Sequence, residues 1–160
     1  MGKVITLPEM VAERAKLKAS GKKLVFTNGC FDILHVGHVR LLREAAAFGD
    51  TLVVAVNDDG SVRRLKGSER PINPENARGE VLAALQMVDY IVLFSEDDPG
   101  RIIHEIVPDI LVKGGDWSLD QIVGRDFVES HGGKVISIPL VPGYSTTGIL
   151  DKLNKNPDPS

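Results

Sequence analysis

One cysteine, Cys30, stands in 160 residues, so no disulfide can form within the chain. No apolar run approaches the roughly 20 residues that a membrane-crossing helix needs. The opening Met1-Gly2-Lys3-Val4-Ile5-Thr6-Leu7-Pro8 lacks the apolar core of a secretory leader, and Gly2 lacks the context of a myristoylation site. Basic residues are not in excess. Nineteen Lys and Arg against 22 Asp and Glu leave a formal charge of −3, which argues against a general nucleic-acid binder. No internal repeat, low-complexity tract or break in composition marks a second domain. These absences leave an expectation of one globular domain over residues 1–160 in a reducing cytoplasm, with 42% hydrophobic residues and enough length to bury a core.

The stretch from Phe26 to His38 organises the rest. Leu24-Val25-Phe26 is an apolar run that predicts a buried strand, about 23–27, closed by the turn signal Asn28-Gly29. A helical pattern begins near His38, carries Leu41, Leu42, Ala45 and Ala46 on one face and runs to about Phe48. His35 and His38 therefore stand where a strand hands over to a helix N-terminus, a place of unpaired backbone N–H groups and positive dipole that suits phosphate. Gly37 lets a ligand approach the backbone, and imidazole N–H groups can donate to phosphoryl oxygens. By the chain's own composition, about one shuffled sequence in a hundred would contain His-x-Gly-His. A zinc site would need further ligands, and His104 and His131 show no partner spacing. Cys30 is expected as a small apolar wall beside the site.

Around this stretch helices and strands alternate. An amphipathic helix is predicted over 7–19, led in by Pro8, packing on the outside of the domain or on a partner subunit. Strands are predicted at 51–57, 90–94, 110–113 and 134–138. Between them come a helix from Glu75 to Met87, capped by Asn73 with Val81, Leu82 and Leu85 inward, and one opened by Asp98-Pro99 with Ile102, Ile103, Ile106 and Val107 inward. A short helix follows around Gln121–Ser130, and a last one begins at Ser145. The tail from about residue 155 is expected to fray. This alternation predicts an α/β, Rossmann-like, doubly wound and mainly parallel sheet of five strands with helices on both faces.

Three further segments carry candidate chemistry. Ser61 to Pro74 holds Arg63, Arg64, Lys66 and Arg70 within eight positions and follows the carboxyl end of a strand, where open α/β sheets bind ligands. It is expected as a mobile, anion-binding loop after a short helical turn. Ser145-Thr146-Thr147 places three hydroxyls at a helix start, either as plain caps or as a second phosphate cradle. Lys113-Gly114-Gly115-Asp116-Trp117 ends a strand with glycines that admit a base or ribose, an acceptor at Asp116, and an indole that stacks or packs.

Gly-Cys-Phe-Asp-Ile-Leu-His-Val-Gly-His resembles the signature of the HIGH-type nucleotidyltransferases. Val-Asn-Asp-Asp, Arg-Leu-Lys-Gly, Arg-Pro-Ile-Asn-Pro, Leu-Val-Lys-Gly-Gly-Asp-Trp and Ser-Thr-Thr make the chain, from about Lys22 to Leu153, most similar to the branch that adenylylates D-glycero-manno-heptose 1-phosphate. The resemblance implies transfer of AMP from ATP to a sugar 1-phosphate for lipopolysaccharide core synthesis, with Mg²⁺ beside ATP, a homodimer, and a stand-alone form lacking the kinase often fused to this domain. It casts His35, His38 and Lys66 as catalytic. Nucleotide-binding residues would be Asn28, Gly29, Cys30, Phe31, Gly37, Lys113, Gly115, Asp116, Trp117, Ser145, Thr146 and Thr147. Asp32, Asn57, Arg70 and Asn73 would serve the acceptor, Asp32 chiefly by supporting the loop. No acidic cluster forms a metal cage. CTP-dependent transfer to glycerol 3-phosphate stands as the alternative, although Cys30 and Pro142-Gly143-Tyr144 stand where that branch carries Thr and Arg. A nucleotide sensor without turnover is the non-enzymatic alternative.

Overall fold

In the computed structural model, residues 1–155 are described; the tail expected to fray lies outside them apart from Lys155. Strands β1 (Lys3–Val4), β2 (Leu24–Gly29), β3 (Thr51–Asn57), β4 (Tyr90–Phe94), β5 (Ile110–Gly114) and β6 (Lys134–Ile138) form one sheet. Its order is β1-β4-β3-β2-β5-β6, parallel throughout. The sheet thus has six strands rather than five. The extra one is a two-residue edge strand, tied down by Lys3 N–H to the Asp89 carbonyl and Ile5 N–H to the Ile91 carbonyl, and too short to leave a pattern in sequence.

Helices α1 (Leu7–Ala19), α2 (Val36–Ala46), α3 (Asp59–Lys66), α4 (Glu75–Ala83), α5 (Gly100–Ile106), α6 (Arg125–Ser130) and α7 (Thr146–Lys155) complete the chain. Both faces of the sheet are covered, so the strands are apolar at successive positions yet still alternate in direction. Val25, Val54, Ile91 and Val112 pack with Leu42 and Ala45 of α2 and Leu82 of α4. Leu24, Phe26, Val53 and Leu111 pack on the other face with Met10 of α1, Ile102 and Ile106 of α5 and Val128 of α6. Arg14 fastens α1, donating two bonds to the Asp109 carboxylate and a third to the Val107 carbonyl. As expected of an amphipathic helix on the outside of the domain, α1 buries Met10 and Arg14 and leaves Val11 exposed.

Several boundaries depart from expectation for local reasons. Asp58 caps α3 by accepting from Ser61 N–H, so the expected short turn is a two-turn helix ending on Lys66. Pro74, not Asn73, occupies the cap of α4, which stops at Ala83 with Val81 exposed. Val107 turns left-handed, at φ 53°, and ends α5. Gly124, at φ 88°, separates a single 3₁₀ turn at Leu119–Gln121 from α6, dividing what periodicity joined.

Strand order reverses at β2: β3 and β4 follow on one side, β5 and β6 on the other. Direct pairing of β2 with β5 covers only Val25–Ile110 and Phe26–Leu111. Beyond it the strands part, and a crevice opens at their carboxyl ends, where doubly wound sheets place ligands.

Candidate active site

The crevice is a cleft of about 620 Å³. His35, Gly37 and His38 line it from the start of α2, Lys66 from the end of α3, and Ser145, Thr146 and Thr147 from the start of α7. Two helix starts more than a hundred residues apart thus face one space. The Thr146 hydroxyl joins them by donating to the Ile33 carbonyl at 3.3 Å.

The histidines are fixed by their own backbone. His35 Nδ1 accepts from Gly37 N–H at 3.1 Å, and His38 Nδ1 accepts from His35 N–H at 3.3 Å. A ring nitrogen that accepts carries no proton, so both imidazoles are neutral with hydrogen on Nε2. The rings stack with centroids 3.8 Å apart, and the Phe31 ring lies 5.2 Å from His38. Burial, and then the neighbouring His35, push His38 down to about 4; burial lowers His35 as well. The pair is thus a neutral double donor at physiological pH. Phe31 itself is held at φ 49°, an uncommon conformation for a bulky residue, at the bend between β2 and the histidines.

Lys113 reaches the cleft from the end of β5, its ammonium 5.5 Å from the centre of the Trp117 ring. Burial, opposed by Cys30 and reinforced by Lys66, lowers the Lys113 pKa. Trp117 is about half exposed, so it is not a core residue. Beside it a recess of about 90 Å³, lined by Asn28, Leu111, Gln121 and Ile122, adjoins the main cleft.

Cys30 is half-buried against the side-chain oxygen of Asn57, and burial pushes its thiol up despite Lys66, Arg78 and Arg70 nearby. A protonated thiol is a poor nucleophile, which fits a wall residue.

Some expected contacts fall elsewhere. Gly115 and Asp116 do not line the cleft: Gly115 is buried, donating to the Ile138 carbonyl, and Asp116 is exposed. Asn73 also lies outside it, its amide donating to the Asp32 carbonyl at 2.6 Å. Asp32 and Asn57 border the cleft with side chains already engaged. The Asp32 carboxylate is wholly buried and accepts from Arg70 Nε at 2.7 Å and from the N–H groups of Ile72 and Asn73. Burial alone would raise its pKa; those donors outweigh it and hold it low. The Asn57 amide donates to Ser61 at 2.8 Å. Both side chains thus take part in hydrogen bonds within the protein, and Arg70 is tied to Asp32. Asn28, Gly29 and Phe31 do line the cleft. Sequence reasoning passed over Leu140, Val141 and Tyr144, which line it from the loop before α7; an exposed apolar loop carries no pattern by which to find them.

Residues 26–150 match the cytidylyltransferase-like family. The chain belongs to that family. It is 53% identical over 154 residues to the bifunctional protein HldE of Azotobacter vinelandii, covering 96% of this chain and 32% of that protein. The chain thus spans about a third of the length of the bifunctional relatives that it matches. A solved lipopolysaccharide core biosynthesis protein from Thermoplasma volcanium superposes with a TM-score of 0.62 at 33% identity, covering 76% of this chain and 98% of that one. Pantoate-beta-alanine ligase from Francisella tularensis, complexed with beta-gamma ATP and beta-alanine, shares the fold alone: TM-score 0.64 at 15% identity, over 97% of this chain and 78% of that one.

Among the described residues, no group of three or more His, Cys, Asp or Glu side chains is placed to hold a metal ion. Of the three carboxylates lining the cleft, Asp32 is paired with Arg70, Asp97 is paired with Arg64, and Asp98 accepts from Gly100 N–H. No helix among the described residues is long and apolar enough to cross a membrane.

Proposed function

We propose that this chain transfers AMP from ATP to a sugar 1-phosphate, D-glycero-D-manno-heptose 1-phosphate, giving ADP-heptose and pyrophosphate. One observation carries the reading: the neutral histidine pair, Lys66 and the Ser145–Thr147 helix start all line a single cleft at the sheet's switch point. A nucleoside triphosphate is the kind of ligand that needs anion contacts at two separated points. Similarity to HldE proteins over nearly the whole chain supports the heptose branch.

In this reading an oxygen of the acceptor phosphate attacks the α-phosphorus in line. A bond forms there as the bond to the bridging oxygen breaks, and pyrophosphate leaves with that electron pair. The acceptor oxygen is already ionised near neutral pH, so no strong general base is required. The protein's work is orientation and charge stabilisation. His35 and His38 donate through Nε2–H to oxygens of the transferring group, Lys66 offsets the charge that spreads over them, and the start of α7 holds the leaving pyrophosphate. Magnesium expected with ATP would be held by phosphate oxygens and water. The same proposal includes a cytoplasmic setting, which keeps Cys30 reduced, and a homodimer, which light scattering of the purified protein measures directly.

Pyrophosphate release is the test, with ATP and CTP each offered against heptose 1-phosphate and glycerol 3-phosphate. Release with ATP and heptose 1-phosphate is expected. Preference for CTP and glycerol 3-phosphate, or ATP binding without release in any pairing, would overturn the proposal.

A further inference from the structure

Among the described residues Arg78 is the largest side chain almost wholly removed from solvent, and it lies in α4 rather than in the cleft. Burying a guanidinium is costly unless its N–H groups are met. Here each bond goes to a different segment. Nε donates to the Asn73 carbonyl at 3.0 Å. One terminal nitrogen donates to the carbonyls of Cys30 at 2.7 Å and Asn57 at 2.8 Å, and the other to the Asp59 carboxylate at 2.8 Å. Cys30 leads from β2 toward the histidines. Asn57 ends β3. Asp59 starts α3, whose last residue is Lys66. Asn73 closes the loop that carries Arg70. The Asp32 carboxylate grips that loop from its other side.

We propose that Arg78 is a positioning residue for nucleotidyl transfer, its planar fork fixing the distance between the histidine pair and Lys66. The proposal rests on the functional reading given above. Arg78 lines no part of the cleft, so it acts through the segments it holds. Lysine would keep the charge, but its three donors sit on one atom and cannot reach four acceptors spread around a plane. A residue there for volume alone would tolerate that change. A displacement of about 1 Å at reacting groups costs on the order of 100-fold in rate, whereas affinity for ATP, spread over the whole cleft, depends less on any one separation.

The test compares Arg78→Lys with wild type in turnover, ATP KM and limited trypsin digestion under native conditions. Circular dichroism and thermal melts establish folding. Turnover is expected to fall at least 30-fold with ATP KM changed less than threefold. Cleavage after Arg64 or Lys66 is expected to quicken at least tenfold, while cleavage elsewhere keeps the wild-type rate. Should Arg78→Lys not fold, Asp59→Ala, which leaves the three carbonyl bonds, is read by the same measures with smaller changes in the same direction. Wild-type turnover in a folded variant, or cleavage quickened evenly along the chain, overturns the proposal. The digestion pattern needs no activity. It still reads the tether if the wild-type protein transfers nucleotide to no acceptor, the outcome that sinks the functional proposal instead.

Discussion

A methyl group built on Gly37 would stand 2.9 Å from Nδ1 of His35. That is closer than carbon and nitrogen pack, so the imidazole would have to swing away and give up the bond from Gly37 N–H. Gly37→Ala is therefore expected to lower turnover at least tenfold, about 1.4 kcal/mol of barrier. Its melting temperature should stay within a few degrees of wild type, since alanine favours helix over glycine by about 1 kcal/mol. Steady-state kinetics and a thermal melt read both; unaltered turnover would mean that the His35 orientation is not used.

His38→Ala removes an Nε2–H donor expected to meet a charged oxygen. Such bonds are worth about 1.5–3 kcal/mol, so turnover should fall by about 10- to 100-fold with the far-ultraviolet spectrum unchanged. Near-normal turnover would remove the histidine from the mechanism.

Acid supplies a separate check. His38 titrates at about 4 in the folded chain against an ordinary 6.5. Between those values the unfolded chain binds the extra proton, so this contribution to stability is complete above 6.5 and is lost as pH falls toward 4. Imidazole resonances should show one histidine still neutral at pH 5. The fall in melting temperature from pH 6.5 to pH 5 should be shallower in His38→Ala than in wild type. A midpoint near 6.5 for His38 would contradict the accepting role of its Nδ1.

Asp32→Asn keeps the shape of a buried acceptor but leaves Arg70 without its counter-ion. Breaking such a pair costs about 3 kcal/mol or more. The carboxylate's pKa is held low in the fold, so its contribution is present above the ordinary carboxylate range and lost as pH drops through the depressed value. Urea unfolding at pH 7 and pH 3 should therefore separate wild type from variant widely at the first and less at the second.

Trp117→Ala tests the half-exposed indole beside the small recess. If the nucleotide base stacks there, about 1–3 kcal/mol of binding is lost. ATP KM should then rise at least fivefold while turnover holds, the pattern of an interaction made equally in ground and transition states. An unchanged KM would place the base elsewhere.

The alternation of elements, the parallel sheet and the helix start beside His35 and His38 were legible because each rests on a local pattern, apolar runs or a helical period; Asn28-Gly29, expected as a turn, instead extends β2 by pairing with Ala55 and Val56. What was not legible depended on partners distant in sequence. Lys3–Val4 is a strand only because β4 lies beside it. Asn73 looked like a helix cap, yet its amide serves the Asp32 carbonyl 41 positions away. No spacing in the sequence announces that Arg78 meets Cys30 and Asn57. Asp32 shows the middle case: support for the loop was expected of it, but that its carboxylate would be wholly enclosed was not.

The last helix, α7, has no buried residue, and it brings the second hydroxyl-rich cradle to a cleft whose other wall was laid down more than a hundred residues earlier. During synthesis on the ribosome, every strand emerges before Ser145 does. A nascent chain could thus complete its sheet and still hold a triphosphate by one end only, so competence for nucleotide waits until the start of α7 has followed.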